Sequence, residues 1–161
     1  MIIKIVFGII FLWILLGIVT PFIIFPNYLF KPRIKTTNNI KQVAIKLKDK
    51  NPQKTVKKIY DFVTDNHYGI SKSAKNKIFY LGRLFKNDVE ENLGNKTYIF
   101  CHAQNLVLKT LLINTGQFEE KDIKVKWVIG STLIIHQYLL VNAGNKKVKL
   151  DPFYRIYKVL S

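Results

Sequence analysis

A run of 21 residues without a charge, Ile5 to Phe25, constrains this 161-residue chain more than any other feature. A helix of that length spans roughly 30 Å, which is the thickness of the hydrocarbon core of a bilayer. The end of the run, residues 17–21, has no small-x-small pattern of the kind that a signal peptidase cleaves. The sequence therefore predicts a retained transmembrane helix as an anchor (residues 1–26), with the lipid bilayer as a partner through residues 5–25.

The charge of the remaining chain is strongly positive. Residues 27–161 contain 25 Lys and Arg against 10 Asp and Glu. Residues 27–50 are basic and weakly patterned, which is typical of a juxtamembrane linker, and their lysines predict contact with anionic headgroups. Basic residues directly after an anchor favour a cytoplasmic domain by the positive-inside tendency. The opposite sidedness stays open, because a single cysteine fits either redox compartment.

A basic chain can also bind nucleic acid. Here the positive residues are 23 Lys and only three Arg, spread along the chain. No zinc-finger, RNP-type or KH-type signature accompanies them. Dispersed lysine is typical of a solvated surface, so the composition does not favour nucleic acid as a partner.

The predicted soluble domain covers residues 51–161 and begins at Asn51-Pro52, an N-cap followed by a first-turn proline. Residues 52–66 have apolar side chains at helical spacing and predict a helix. Residues 77–85 predict a short helix and residues 88–94 a turn. With strands near the C-terminus, the pattern predicts a single α+β domain, with helices packed on a small antiparallel sheet.

Cys101 is the only cysteine, and it opens a helical pattern that runs to Asn114. Gly116 falls where a C-terminal cap would lie. In the first turn, unpaired backbone amides and the helix dipole favour a thiolate, so Cys101 is a candidate nucleophile. His102 is expected to face solvent or a cleft rim, because neighbours on a helix point about 100° apart. His67 is expected to cap the preceding helix.

His136 and Asp151 lie on two predicted strands, residues 133–142 and 145–151, that are joined around Asn142 to Asn145. A two-residue loop at Ala143-Gly144 would set His136 directly opposite Asp151. Opposite side chains have Cβ atoms about 4.5–5.5 Å apart, so the carboxylate could orient the imidazole. Cys101, His136 and Asp151 are thus the candidate catalytic residues: a nucleophile, a base and an orienting acid. These groups can also bind zinc, but no second Cys or paired-His spacing accompanies them, so no metal or cofactor is predicted.

Taken singly, each of these three residues has a structural explanation. A lone Cys or His is commonly buried in a core, and Asp151 before Pro152 can start a turn. The ordered triplet, with its thiol at a helix start, favours the catalytic interpretation.

The residues resemble the core of the transglutaminase-like superfamily. The resemblance rests on Cys101 at a helix start, a following strand that ends Val128-Ile129-Gly130, His136 on the next strand, and Leu150-Asp151-Pro152 at the end of the third. It covers about residues 51–157. Members commonly have a glycine two residues before the cysteine and a tryptophan two after the histidine, where this chain has Ile99 and Tyr138.

The resemblance implies a papain-like Cys-His-Asp site that acts on protein or peptide amides through a thioester on Cys101. Hydrolysis, as in a cysteine protease or amidase, is slightly favoured over acyl transfer, because water needs no second binding site. Two non-enzymatic alternatives stay open. One is a membrane-tethered scaffold that kept the fold without the chemistry, and the other is a basic module that binds anionic surfaces.

Overall fold

The computed structural model describes residues 2–24, 33–68, 88–94, 96–129 and 135–160. The chain forms two compact units. The first comprises Met1–Pro32 and Trp127–His136, and the second comprises Arg33–Lys126 and Gln137–Ser161. Each unit is described by itself.

The described helices and strands give an α+β fold. The helices are α1 (Ile2–Ile24), α2 (Asn38–Leu47), α3 (Pro52–Asn66), α4 (Val89–Leu93) and α5 (Cys101–Asn114). Two short strands, β1 (His67–Tyr68) and β2 (Thr97–Tyr98), pair in parallel. A second sheet has the order β3-β4-β5-β6, formed by Ile123–Ile129, Ile135–Ala143, Lys146–Asp151 and Ile156–Leu160. The predicted α+β class with a small antiparallel sheet is confirmed.

Helix α1 makes up most of the first unit. Its side chains include highly exposed apolar groups, among them Ile3 (73%), Phe7 (70%) and Trp13 (67%). Nowhere in the described ranges does a helix combine the length and apolarity that crossing a membrane requires. Residues 25 and 26 of the predicted anchor lie outside the described residues, and membrane attachment stays a prediction.

Helix α5 is at the centre of the second unit. Every residue from Cys101 to Leu112 is buried, because α2, α3 and α4 all pack against this helix. The fully buried side chains of Val107, Leu108 and Leu111 join the main core, together with Leu139 and Leu150 from the sheet. The helix ends as predicted, since Gly116 adopts a positive φ of 71° that favours glycine.

Two segments differ from their predictions. The predicted linker contains helix α2, which has Thr37 as its N-cap and buries Ile40 and Ala44 completely. Val43 and Leu47 of the same helix also pack against the core, so tertiary burial stabilises a helix that is too short to be stable alone. Residues 88–94 form α4 instead of a turn, because the Asp88 side chain caps the backbone N–H groups of Glu90 and Glu91. The predicted helix at 77–85 lies outside the described residues.

In the sequence, residues 133–141 are apolar on both faces, which predicts a central strand, and β4 does lie between β3 and β5. The predicted register of the hairpin is wrong. Leu139 pairs with Leu150 and Ala143 with Lys146, so the two-residue loop is Gly144-Asn145. Gly144 takes the positive φ of 70° that the loop requires, and moving the loop by one residue moves the pairing by two.

One cross-strand pair carries like charges. Lys149 on β5 is directly opposite Lys158 on β6. Replacing Lys158 by Glu turns a repulsive pair into an attractive one, and we expect the free energy of unfolding to rise by about 0.5–1 kcal/mol. Lys158→Gln should give a smaller rise. Chemical denaturation at low salt measures both.

Lowering the high net charge could by itself stabilise the chain. Lys96→Glu, at another exposed lysine, makes the same charge change without a cross-strand lysine opposite it in the described sheet. An equal gain from Lys96→Glu and Lys158→Glu would contradict the pairwise explanation.

Candidate functional site

Cys101 is the first residue of α5, as predicted. Phe100 precedes it as the N-cap with extended backbone angles (φ −71°, ψ 164°), and no side chain caps this helix end. The position of Cys101 at the positive end of the helix dipole favours a negative charge on its sulfur. Cys101 itself is buried, with 8% of its surface exposed.

The surroundings of the thiol are aromatic. Cys101 packs with Phe153 in a small cluster separate from the main core, and Phe100 and Tyr154 cover it from two sides. Phe153 and Tyr154 belong to the turn that follows β5. The second unit therefore brings the start of α5 against the turn that begins at Asp151.

Asp151 ends β5 and is 2% exposed. One of its carboxylate oxygens, Oδ1, accepts a hydrogen bond from the backbone N–H of Tyr154 at 3.2 Å. Arg155 closes the turn with a positive φ of 57° and donates from its guanidinium to the Thr64 carbonyl at 3.3 Å. Asp151 thus fixes the turn that carries the aromatic cover of Cys101, which is the turn role that its sequence position before Pro152 also allows.

Tyr60 of α3 lies within electrostatic range of Asp151. Burial, followed by the negative charges of Asp151 and Asp61, raises the pKa of Tyr60 to about 12. The Tyr60 hydroxyl accordingly stays protonated at physiological pH and can act as a hydrogen-bond donor. In the sequence, Tyr60 belongs to the apolar pattern that predicts the core-facing side of this helix. Helical spacing alone does not show that the carboxylate of Asp151 lies nearby.

His136 lies on β4 and is 5% exposed. It belongs to the first unit, whereas Cys101 and Asp151 belong to the second. Within the second unit, the helix start that carries Cys101 packs against the turn that Asp151 begins. His136 is a residue of the first unit.

The register of β4 and β5 changes the predicted partner of Asp151. The observed pairs run from Ala143 opposite Lys146 to Leu139 opposite Leu150, two residues away from the predicted register, so the predicted direct pair of His136 with Asp151 is wrong. A shift of two residues leaves each side chain on its predicted face, because the side-chain period of a strand is two. Lys149 and Tyr138 confirm this facing, since the lysine ammonium lies 4.2 Å from the centre of the tyrosine ring.

Asn105 is a site-proximal residue that sequence reasoning missed. It follows Cys101 by one helical turn and is 2% exposed. Its side-chain Nδ2 donates to the backbone carbonyl of Gln137 at 2.8 Å, the residue after His136 in the chain. The only sequence signal was an amide in an otherwise apolar stripe, four residues after the cysteine.

The two other histidines are both buried. His102 is 7% exposed and stacks on Phe100 with ring centroids 6.3 Å apart, so its predicted placement toward solvent or a cleft rim is wrong. His67 follows the last turn of α3, and its backbone N–H bonds to the Val63 carbonyl, which confirms the predicted cap. In the described part of the chain, no group of three or more His, Cys, Asp or Glu side chains could hold a metal ion.

No family model, curated protein or solved structure matches this chain. The structure itself defines the class as an α+β protein with a buried central helix and a small four-stranded sheet. The resemblance to transglutaminase-like proteins therefore remains a prediction from the sequence.

The Asn105 hydrogen bond can be tested by stability. Asn105→Ala leaves the buried Gln137 carbonyl without its donor, and we expect a loss of about 1–3 kcal/mol in the free energy of unfolding. Asn114→Ala is the matched control on the same helix. Its side chain also donates to backbone carbonyls, those of Thr110 and Lys35, but at a more exposed helix end where water can substitute. Equal losses in the two variants would contradict a special role for Asn105.

Proposed function

We propose that this protein is a thiol enzyme of transglutaminase-like type that acts on amides of proteins or peptides. The observation that carries the proposal is the position of Cys101: the sole thiol is at the uncapped start of a buried helix, packed against the turn that begins at Asp151. The first turn of a helix, at the positive end of its dipole, favours both a thiolate and the oxyanion that it generates.

In the proposed reaction, the Cys101 sulfur attacks the amide carbonyl carbon, while His136 takes the thiol proton. The tetrahedral oxyanion is stabilised in part by the backbone N–H of Cys101. His136 then passes the proton to the amine nitrogen, the C–N bond breaks, and the amine leaves a thioester on Cys101. Asp151 is a positioning residue for His136 in this scheme.

Water completes the reaction if it attacks the thioester, which releases a carboxylic acid and restores the thiol. An amine acceptor would instead form a new amide and restore the thiol. We favour hydrolysis, because water requires no acceptor site. Release of free acid from a glutamine-containing protein, unchanged when a primary amine is added in excess, would separate hydrolysis from transfer.

The first test is the reactivity of Cys101 toward iodoacetamide at about pH 6.5, where an ordinary thiol with a pKa near 8.5 is almost fully protonated. We expect His136→Ala in the full-length chain to slow labelling by ~10-fold or more, because the imidazole no longer takes the thiol proton. Mass spectrometry measures the rate at one site, since the chain has a single cysteine.

The control variant is His102→Ala. His102 is as buried as His136, 7% against 5%, and is adjacent to Cys101 in sequence, but has no role in the proposed reaction. Labelling that is equally slow in both variants, or equally fast in both and in the unmodified chain, would overturn the assignment of His136.

The role of Asp151 predicts a change in pH dependence. A carboxylate that orients His136 also stabilises the imidazolium that pairs with the Cys101 thiolate, so Asp151→Asn should move the acid limb of the labelling rate to higher pH. Asp61→Asn, which removes a carboxylate of α3 outside the proposed site, should leave the profile unchanged. A profile that Asp151→Asn does not shift would reduce Asp151 to its role in the turn.

A catalytically inactive, tethered basic module is the second candidate. The observation that favours it is the burial of Cys101 beneath Phe153. Such a protein would show slow labelling of Cys101 at neutral pH that is insensitive to both His136→Ala and Asp151→Asn.

A further inference from the structure

One side of the sheet faces away from the helices, and the strand register shows which residues lie on it. On β5, Val148 and Leu150 are fully buried in the core, while Lys147 is exposed and Lys149 partly exposed. The register extends this alternation to both neighbouring strands. The side that carries Lys147 and Lys149 is called the outer sheet face. It is defined by Leu140, Asn142, Lys147, Lys149, Lys158 and Leu160.

The exposed charges on the outer sheet face are all positive, since Asp151, which the register places on the same face opposite Ile156, is only 2% exposed. Lys149 lies directly opposite Lys158, and like charges in that position are destabilising. Among the described residues, no carboxylate forms an ion pair with Lys147, Lys149 or Lys158. The Lys149 ammonium instead lies over the Tyr138 ring, at 4.2 Å. A repulsive pair that forms no ion pair with a described carboxylate fits a surface whose counter-charges come from a partner.

Apolar side chains alternate with these lysines. Leu140 pairs with Lys149, and Leu160 pairs with Lys147, so two of the three lysines have a leucine directly opposite on an adjacent strand. Ile156 lies next to Lys158 along β6, two residues away on the same face, and is 40% exposed. Surfaces that combine lysine with aliphatic side chains suit the boundary between lipid headgroups and acyl chains.

We propose that the outer sheet face docks on an anionic lipid surface. The lysines would lie among the headgroups, and each lysine near an anionic leaflet strengthens association about fivefold. The aliphatic side chains between them would contact the upper acyl region. The same chain carries exposed apolar side chains on α1, an independent indication of contact with lipid.

Lipid suits this surface better than nucleic acid does. Proteins that bind single strands use aromatic rings as stacking platforms, and arginine forks are preferred for phosphate recognition. The outer sheet face has lysine without arginine, and its neighbouring aromatic ring, Tyr138, already has Lys149 over it. The partner is therefore assigned as the bilayer surface.

The test is lysine footprinting of the full-length chain in vesicles. Vesicles are formed in the presence of the protein from phosphatidylcholine alone, or with roughly one third phosphatidylserine. They are then treated briefly with an amine-acetylating reagent, and acetylation is quantified by mass spectrometry. We expect Lys147, Lys149 and Lys158 to be acetylated several-fold more slowly in the anionic vesicles, at a rate that recovers at high salt.

Lys54, an exposed residue of α3, is the internal control, because its acetylation should be the same in both vesicles. Dividing each rate by that of Lys54 removes any difference in how many molecules face outward. Lys158→Glu should abolish the protection of Lys149 while raising the melting temperature. Protection that is lost by a substitution that stabilises the fold cannot be an effect of unfolding.

Two outcomes overturn the proposal. Equal acetylation of the three lysines in both vesicles, relative to Lys54, would show that the face does not contact anionic lipid. Protection in neutral vesicles by an added oligonucleotide, without protection by phosphatidylserine, would assign the face to nucleic acid.

Discussion

Burial of α5 on all sides is the constraint on which the rest of the second unit depends. A helix enclosed by other elements must satisfy its polar side chains within the protein, because an unsatisfied buried group costs about 1–3 kcal/mol. Gln104 therefore donates to the Ile99 carbonyl at 2.9 Å, and Asn105 donates to the Gln137 carbonyl. Lys109, with a side chain only 7% exposed, reaches Glu120 at 3.6 Å. These polar contacts hold α5 against strand β4, against the segment just before the helix and against the turn at Glu120. They thereby fix the position of Cys101.

The two surfaces of the sheet follow from the same enclosure. The inner surface supplies Leu139, Val141 and Leu150 to the core beneath α5, so the polar alternation of the strands must appear on the other surface. That surface is both basic and aliphatic, a combination that costs stability where Lys149 meets Lys158. A binding role for the outer sheet face and a chemical role for Cys101 are physically separable, since they depend on different residues. A result that disproves the proposed enzymatic reaction would therefore not disprove the proposed lipid contact, and the reverse also holds.

Prediction from the sequence worked where one local signal was decisive. Asn51 marks the start of α3, because its side chain accepts a hydrogen bond from the backbone N–H of Gln53, and Gly116 marks the end of α5, because its positive φ favours glycine. It failed where local signals were equivalent. Ala143-Gly144 and Gly144-Asn145 are both acceptable two-residue loops that leave the same side chains facing the core, and the structure uses the second, in which Leu139 pairs with Leu150. Helix α2 was missed for a related reason, since its stability comes from the complete burial of Ile40 and Ala44.

The sequence by itself determined the α+β class, the α3 and α5 helices, the central strand and the identity of the single thiol at a helix start. Periodicity and capping are properties of neighbouring residues, so they can be recognised without a fold. Only the tertiary structure decided the strand register, the burial of His102 and the contact of Cys101 with the turn after Asp151. These depend on contacts between residues distant in the chain, where burial free energy and steric fit choose among alternatives that local preference leaves equal.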